Sequence, residues 1–246
     1  MTVHYHGLPI TPARVLEELG GLHYCVSWYR SDQISQARRL GQGLMLDNGA
    51  FSFWRAGRAC SDWRWYYRWV EKWINPLVDF WIIPDVIGGS ESENDDLLAR
   101  GPLSLPTGVP VWHLNESYKR LHSLTFRGNF ERVAFGSTAE YPVLSDAWKR
   151  RVDDAFNVIC DPSGRVPIKV HMLRGLKTCG MDWPWASADS SSLGRNHHRG
   201  HVTAKDVCRH VDSVNCPSRW HGKWALPAAF ERDVCLYDQW WTAQAR

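Results

Sequence analysis

The chain has 246 residues, 44% of them hydrophobic, which is enough for one sizeable core and close to the length of a single eight-stranded α/β barrel of about 250 residues. Its formal net charge of +3 excludes a bulk polycation, so any nucleic-acid contact must come from a local patch. No apolar run of about 18 residues occurs, and no basic stretch leads into an apolar one, so the expectation is a soluble cytoplasmic protein with no membrane contact.

Short apolar runs at 23–28, 44–47, 79–84, 109–113, 132–136, 167–173 and 185–188 predict strands, and helical patterns alternate with them. In the stretch 62–75, Asp62 is the expected N-cap, and Trp65, Trp69 and Trp73 share one face that should pack on the strands. The stretch 90–100 carries acidic residues in its first turn before Leu97 and Leu98, as a helix start prefers, and 117–126 and 145–158 follow the same pattern. This alternation predicts a compact, single-domain α/β fold over 1–246, a (β/α)8 TIM-type barrel. Seven strands are visible; the eighth is either Val3-His4-Tyr5 or Trp224-Ala225-Leu226. Residues 194–223 break the alternation, being rich in His, Arg, Ser and Cys, and are expected to form an irregular basic insertion. The seven cysteines, at 25, 60, 160, 179, 208, 216 and 235, are irregularly spaced with no CxxC pair, which reads as reduced thiols.

Polar residues end five of the strand-like runs. Asp47 follows Leu44-Met45-Leu46, Asp85 follows Phe80-Trp81-Ile82-Ile83-Pro84, His113 follows Val109-Pro110-Val111-Trp112, Gly136 follows Val133-Ala134-Phe135, and Asp189 follows the run 185–188. A parallel barrel gathers the C-terminal ends of its strands on one face, so these positions are expected to meet in one site. Asn48-Gly49 after Asp47 is also a hairpin signal, the competing reading there. If it is instead a tight strand-to-helix turn, Phe51 offers a face on which a planar base could stack. Asp85 could accept two parallel hydrogen bonds from the N–H and exocyclic amine of guanine; otherwise it is a loop or capping residue. The His113 imidazole and a backbone N–H at Gly136 could bind the carbonyl of the same base, or could be a structural histidine and a turn.

These residues carry a family resemblance. Asp47-Asn48-Gly49-Ala50-Phe51 resembles the Asp-Ser-Gly-Gly-Phe motif of tRNA-guanine transglycosylases. Asp85 falls where that family has its base-reading Asp, His113 where it has a Gln, and Phe135-Gly136-Ser137 where it has Gly-Gly-Leu. His171-Met172-Leu173-Arg174-Gly175 is similar to its Leu-Met-Gly strand, and Asp189 with Arg195-Asn196 to its nucleophile strand and the Arg-Asn beyond. Order and approximate spacing hold from about 44 to 196.

The resemblance implies base exchange by two displacements: Asp189 attacks C1′, guanine leaves, and a 7-deazaguanine that loses its N9 proton to Asp47 attacks in turn. It implies Asn48, Phe51, Asp85, His113, Gly136 and Leu173 as the base-binding set. No cofactor is called for. The family's Cys-x-Cys-x₂-Cys zinc cluster is not reproduced; His197, His198, His201, Cys208, His210, Cys216 and His221 contain candidate ligands without a recognised spacing, and the reading is no metal. The compact length, and the Asp-Ser-Ser-Ser context of Asp189, are more similar to phage members that insert 7-deazaguanines such as 7-cyano-7-deazaguanine into DNA, which would place the protein in the host cytoplasm. DNA is therefore the expected polymer, contacted by Arg195, His197, His198 and Arg199 unless that segment is only a solvated basic loop. The other readings are exchange on RNA, a barrel glycoside hydrolase, and a non-catalytic nucleic-acid-binding module.

Overall fold

The computed structural model describes residues 1–58, 60–102, 104–196, 203–222 and 227, and only the backbone at 195 and 196. Nine strand segments form one parallel sheet: β1 (Val3–Gly7), β2 (His23–Ser27), β3 (Gly43–Asp47), β4 (Val78–Ile82), β5 (Gly108–Val109), β6 (Val111–His113), β7 (Arg132–Gly136), β8 (Lys169–Met172) and β9 (Ser187–Ser190). Their order is β5-β4-β3-β2-β1-β9-β8-β7-β6. The two outermost segments are one run of chain interrupted at Pro110, so the sheet nearly closes into a barrel of eight runs. Proline has no N–H to give to a ladder, yet its carbonyl still accepts from Ala134 N at 2.9 Å while Val109 O accepts from Ile83 N at 2.9 Å, so the run is bonded on both sides.

The eighth strand is the N-terminal one: Val3–Gly7 pairs with both β2 and β9. Trp224-Ala225-Leu226 lies outside the described residues. Its burial explains why β1 is weak in sequence. Tyr5 points into the barrel, whereas His4 and His6 point out beneath the helix Ala204–Ser213, where Asp212 meets His6 Nε2 at 3.0 Å. That helix, N-capped by Thr203 and burying Cys208, lies inside the segment expected to be irregular. Its polar composition hid the helix because the strand face it covers is itself imidazole rather than aliphatic.

Strand residues of one parity fill the barrel: Tyr5, Cys25, Met45, Phe80, Ile82, Val109, Val111 and Ala134. The other parity, including Tyr24, Val26, Leu44 and Leu46 on one side and Val133, Phe135, Val170 and Met172 on the other, packs under the helices. Ser90 and Glu93 make a reciprocal capping box, and Ser117 and Ser145 cap their helices. The helix Arg64–Trp73 departs from expectation. Trp63, not Asp62, is at its N-cap, though the Asp62 carboxylate accepts from Arg64 N at 3.1 Å. Its inner face is Tyr66 and Val70, with Trp69 and Trp73 half-buried, while Trp65 is 62% exposed under the Arg68 guanidinium. Residue 65 lies one position, about 100° of helix, from Tyr66, so the tryptophan stripe sits at the edge of the packed face. Among the described residues no helix is long and apolar enough to cross a membrane.

Candidate functional site

Period-two alternation brings Asp47, His113, Gly136 and Asp189 to inward positions near the C-terminal ends of β3, β6, β7 and β9. Leu173, just past β8, stays in register through its N–H to Phe135 O at 3.0 Å and packs on the barrel interior. Asp85 lies three residues beyond β4 and is buried. Asp189 is within β9 rather than after it, since the strand runs 187–190 and not 185–188.

Asp47 ends its strand without a hairpin. Gly49 takes φ +76, and the chain enters the helix Ala50–Arg55 directly. Gly49 N donates to Asp47 Oδ2 at 3.1 Å, and Ala50 N to Asn48 Oδ1 at 2.8 Å, so each side chain closes a turn on its own backbone. A Cβ on Gly49 would stand 3.0 Å from both Tyr29 N and Tyr29 Cβ, which makes glycine a steric as well as a conformational requirement. Burial pushes the Asp47 carboxyl up to about 6, and the negative charges of Asp189 and Asp85 act in the same direction.

Asp189 Oδ1 accepts from Arg174 N at 2.7 Å and faces His171 Nε2 at 3.3 Å. Arg174, at φ 56, turns the chain so that its guanidinium lies over the Phe51 ring, 3.4 Å from the centroid. The face expected to stack a base is thus covered by a cation.

Asp85 is bonded on both oxygens, Oδ1 to Asn48 Nδ2 at 2.7 Å and Oδ2 to His113 Nε2 at 2.9 Å. The other side of the His113 ring meets Glu116 Oε1 at 3.3 Å, and Glu116 in turn accepts from His113 N, Asn94 Nδ2 and Arg120 Nη1. Burial is the largest single influence on His113 and pulls it down, but the Asp85 and Glu116 carboxylates together outweigh it and hold the imidazole up at about 9. His113 is therefore an imidazolium at neutral pH, a donor on both nitrogens, and its Nε2–H is committed to Asp85 rather than aimed at a ligand carbonyl. Gly136 is beside it: a Cβ there would come within 2.9 Å of His113 Cδ2.

The structure brings Asp47, Asn48, Asp85, His113, Gly136, Leu173 and Asp189 to one end of the barrel, with Phe51 reached through Arg174. The Arg195 side chain and His197, His198, His201 and Arg199 lie outside the described residues. Among the described residues no group of three or more His, Cys, Asp or Glu is placed to hold a metal ion.

Sequence reasoning gave no role of their own to His171, Ser187, Arg174 and Glu116. The first two had a usable signal, each standing two residues before an inward position already singled out, Leu173 and Asp189. It also did not foresee a cleft of about 590 Å³ at the opposite end, bordered by Asp79, Glu131, Arg132 and Lys169 at the strand starts. No family model, curated protein or solved structure matches the chain.

Proposed function

We propose that the protein is a pentosyltransferase that exchanges guanine in DNA for a 7-deazaguanine through a covalent aspartyl-glycosyl intermediate. The observation that carries this reading is the set of three carboxylates, Asp47, Asp85 and Asp189, at one mouth of the barrel in three different electrostatic settings. Carboxylates with such different partners can take different parts. Asp189, whose Oδ1 accepts from the Arg174 amide and faces the His171 imidazole, suits the nucleophile. Asp47, titrating at about 6, suits a proton carrier that gives a proton toward the departing guanine and takes the N9 proton of the incoming base.

Asp85 keeps unused lone pairs beside its bonds to Asn48 and His113, and these can accept from the N1–H and N2–H of guanine. For a base to stack on Phe51, Arg174 must leave the ring, and its guanidinium then becomes available to a flanking phosphate.

The test is exchange itself. A guanine-containing DNA oligonucleotide is incubated with the protein and 7-cyano-7-deazaguanine, and its nucleosides are analysed by mass spectrometry. The wild-type protein incorporates the deazaguanine; Asp189→Asn abolishes incorporation and the covalent adduct on a denaturing gel while still binding DNA. Incorporation by Asp189→Asn overturns the mechanism. Incorporation into RNA but not DNA moves the reading to the RNA substrate.

A further inference from the structure

A continuous hydrogen-bonded chain crosses the barrel interior to Asp189. Arg132, at the start of β7 and at the cleft of the opposite end, donates from Nη1 to Ser187 Oγ at 2.7 Å. Ser187 Oγ is 2.8 Å from His171 Nδ1, and His171 Nε2 is 3.3 Å from Asp189 Oδ1. His171 and Ser187 are both 0% exposed, so the chain is cut off from bulk solvent.

Proton bookkeeping along this chain has one low-energy solution. A guanidinium can only donate, so one lone pair of Ser187 is taken. The hydroxyl proton is then free to go to His171 Nδ1, and with Nδ1 as acceptor the ring proton is on Nε2, pointing at Asp189. The reverse tautomer would set an imidazole lone pair against a carboxylate in a buried site. Burial, the largest influence, and the Arg132 charge both pull His171 down, so the ring carries one proton and not two, although its bond to Asp189 opposes them. The second N–H on Oδ1 comes from Arg174, and among the described residues none reaches Oδ2.

We propose that Arg132 and Ser187 hold His171 as its neutral Nε2–H tautomer, and that His171 with the Arg174 amide binds Oδ1 of Asp189 so that Oδ2 is the attacking oxygen. This rests on the reading of Asp189 as nucleophile. In the first displacement an Oδ2 lone pair forms the bond to C1′ and the C1′–N9 pair leaves with guanine, which takes a proton from Asp47. In the second, the N9 pair of the incoming base forms the new bond, its proton goes to Asp47, and the C1′–Oδ2 pair returns to the carboxylate. The two N–H donors on Oδ1 receive that returning charge, so His171 acts as a positioning residue whose effect is largest on breakdown of the adduct.

The experiment has a readout independent of activity. In the full chain labelled with ¹⁵N-histidine, long-range ¹H–¹⁵N correlation reports the tautomer of His171, assigned by its loss in His171→Gln. The expected pattern is a protonated Nε2 and an unprotonated Nδ1 in the wild type, giving way to a mixed tautomer in Ser187→Ala. A wild-type ring protonated at Nδ1, or an unchanged pattern in Ser187→Ala, overturns the proposal. In the exchange assay, His171→Leu should accumulate adduct and slow turnover on the order of tenfold or more, with oligonucleotide affinity unchanged and partial rescue by His171→Gln. Wild-type turnover in His171→Leu, with Asp189 still required, overturns the positioning role alone. Turnover in Asp189→Asn overturns the nucleophile reading whatever the tautomer proves to be.

Discussion

At the scale of single residues, two groups make pH a probe of the site. Asp47 has its carboxyl raised to about 6 from an ordinary value near 3.8. Its contribution to stability is therefore fully present below about pH 4 and is lost as pH rises through 6, so the ionised form at pH 7 works against folding. Asp47→Asn keeps an acceptor for Gly49 N and removes that charge. It should stabilise the protein at pH 7 by about 2 kcal/mol, a rise of a few degrees in melting temperature that vanishes toward pH 4. Under the proposed reading, exchange by the wild type should be greatest near pH 6 and fall on either side, because Asp47 must give a proton to the departing guanine and take one from the incoming base. A melting temperature unchanged by the substitution at both pH values would remove Asp47 from the buried cluster. His113 has the opposite sense. Held at about 9 by Asp85 and Glu116 against its own burial, it contributes stability that is complete below about pH 6.5 and lost as pH rises through 9. Denaturant titrations between pH 6.5 and 9.5 should show the wild type losing about 2 kcal/mol more than His113→Gln. Parallel curves would mean that the ring is neutral in the fold.

At the scale of elements, the strand-to-helix turn at Gly49 sets where Asp47 stands. Gly49→Ala meets two obstacles, the left-handed φ of +76 and contacts of 3.0 Å with Tyr29, and should cost about 2 kcal/mol or more while displacing the Asp47 carboxylate. Chemical denaturation measures the first effect, and loss of the raised Asp47 titration, followed by ¹³C-carboxyl NMR, measures the second. This turn also shows what was legible beforehand. Apolar runs ending in Asp47, His113 and Gly136 marked strand ends correctly, whereas the run 185–188 was displaced and Asp189 falls inside β9; the inward parity of all four is set by the pleat alone. The helix starts at 90, 117 and 145 were equally legible, and in the structure the serine at each satisfies a local backbone donor. The exit from β3 was ambiguous because Asn-Gly serves hairpins and β-to-α turns alike, and only the parallel neighbours decide between them. The Arg174 guanidinium over Phe51 and the His113–Glu116–Arg120 cluster were not legible, because long side chains choose partners across loops whose path is a tertiary outcome. The helix Ala204–Ser213 was missed for a related reason: it covers histidines, so its composition lacks the aliphatic stripe that marks most helices on a barrel.

At the scale of the whole molecule, the barrel is closed by strands from distant parts of the described chain. Val3–Gly7 lies between β2 and Ser187–Ser190, bonded to both. A chain truncated after residue 180 lacks β9 and leaves the outer edges of β1 and β8 unpaired, which should make it protease-sensitive and prone to associate; a monomeric, protease-resistant fragment would show that closure is dispensable. The same pairing has a consequence in time. During synthesis the first strand emerges early, pairs on one side with β2, and then waits while some 160 residues, from Ser27 to Ser187, follow before its second partner exists. For that interval its free edge is open to any extended chain nearby, and β9, which carries Asp189 and is the last of the described strands, completes the barrel and the candidate site in one event. The candidate site therefore has no half-built form: until the ring is shut, Asp189 is not beside Asp47 and Asp85 at one mouth of the barrel.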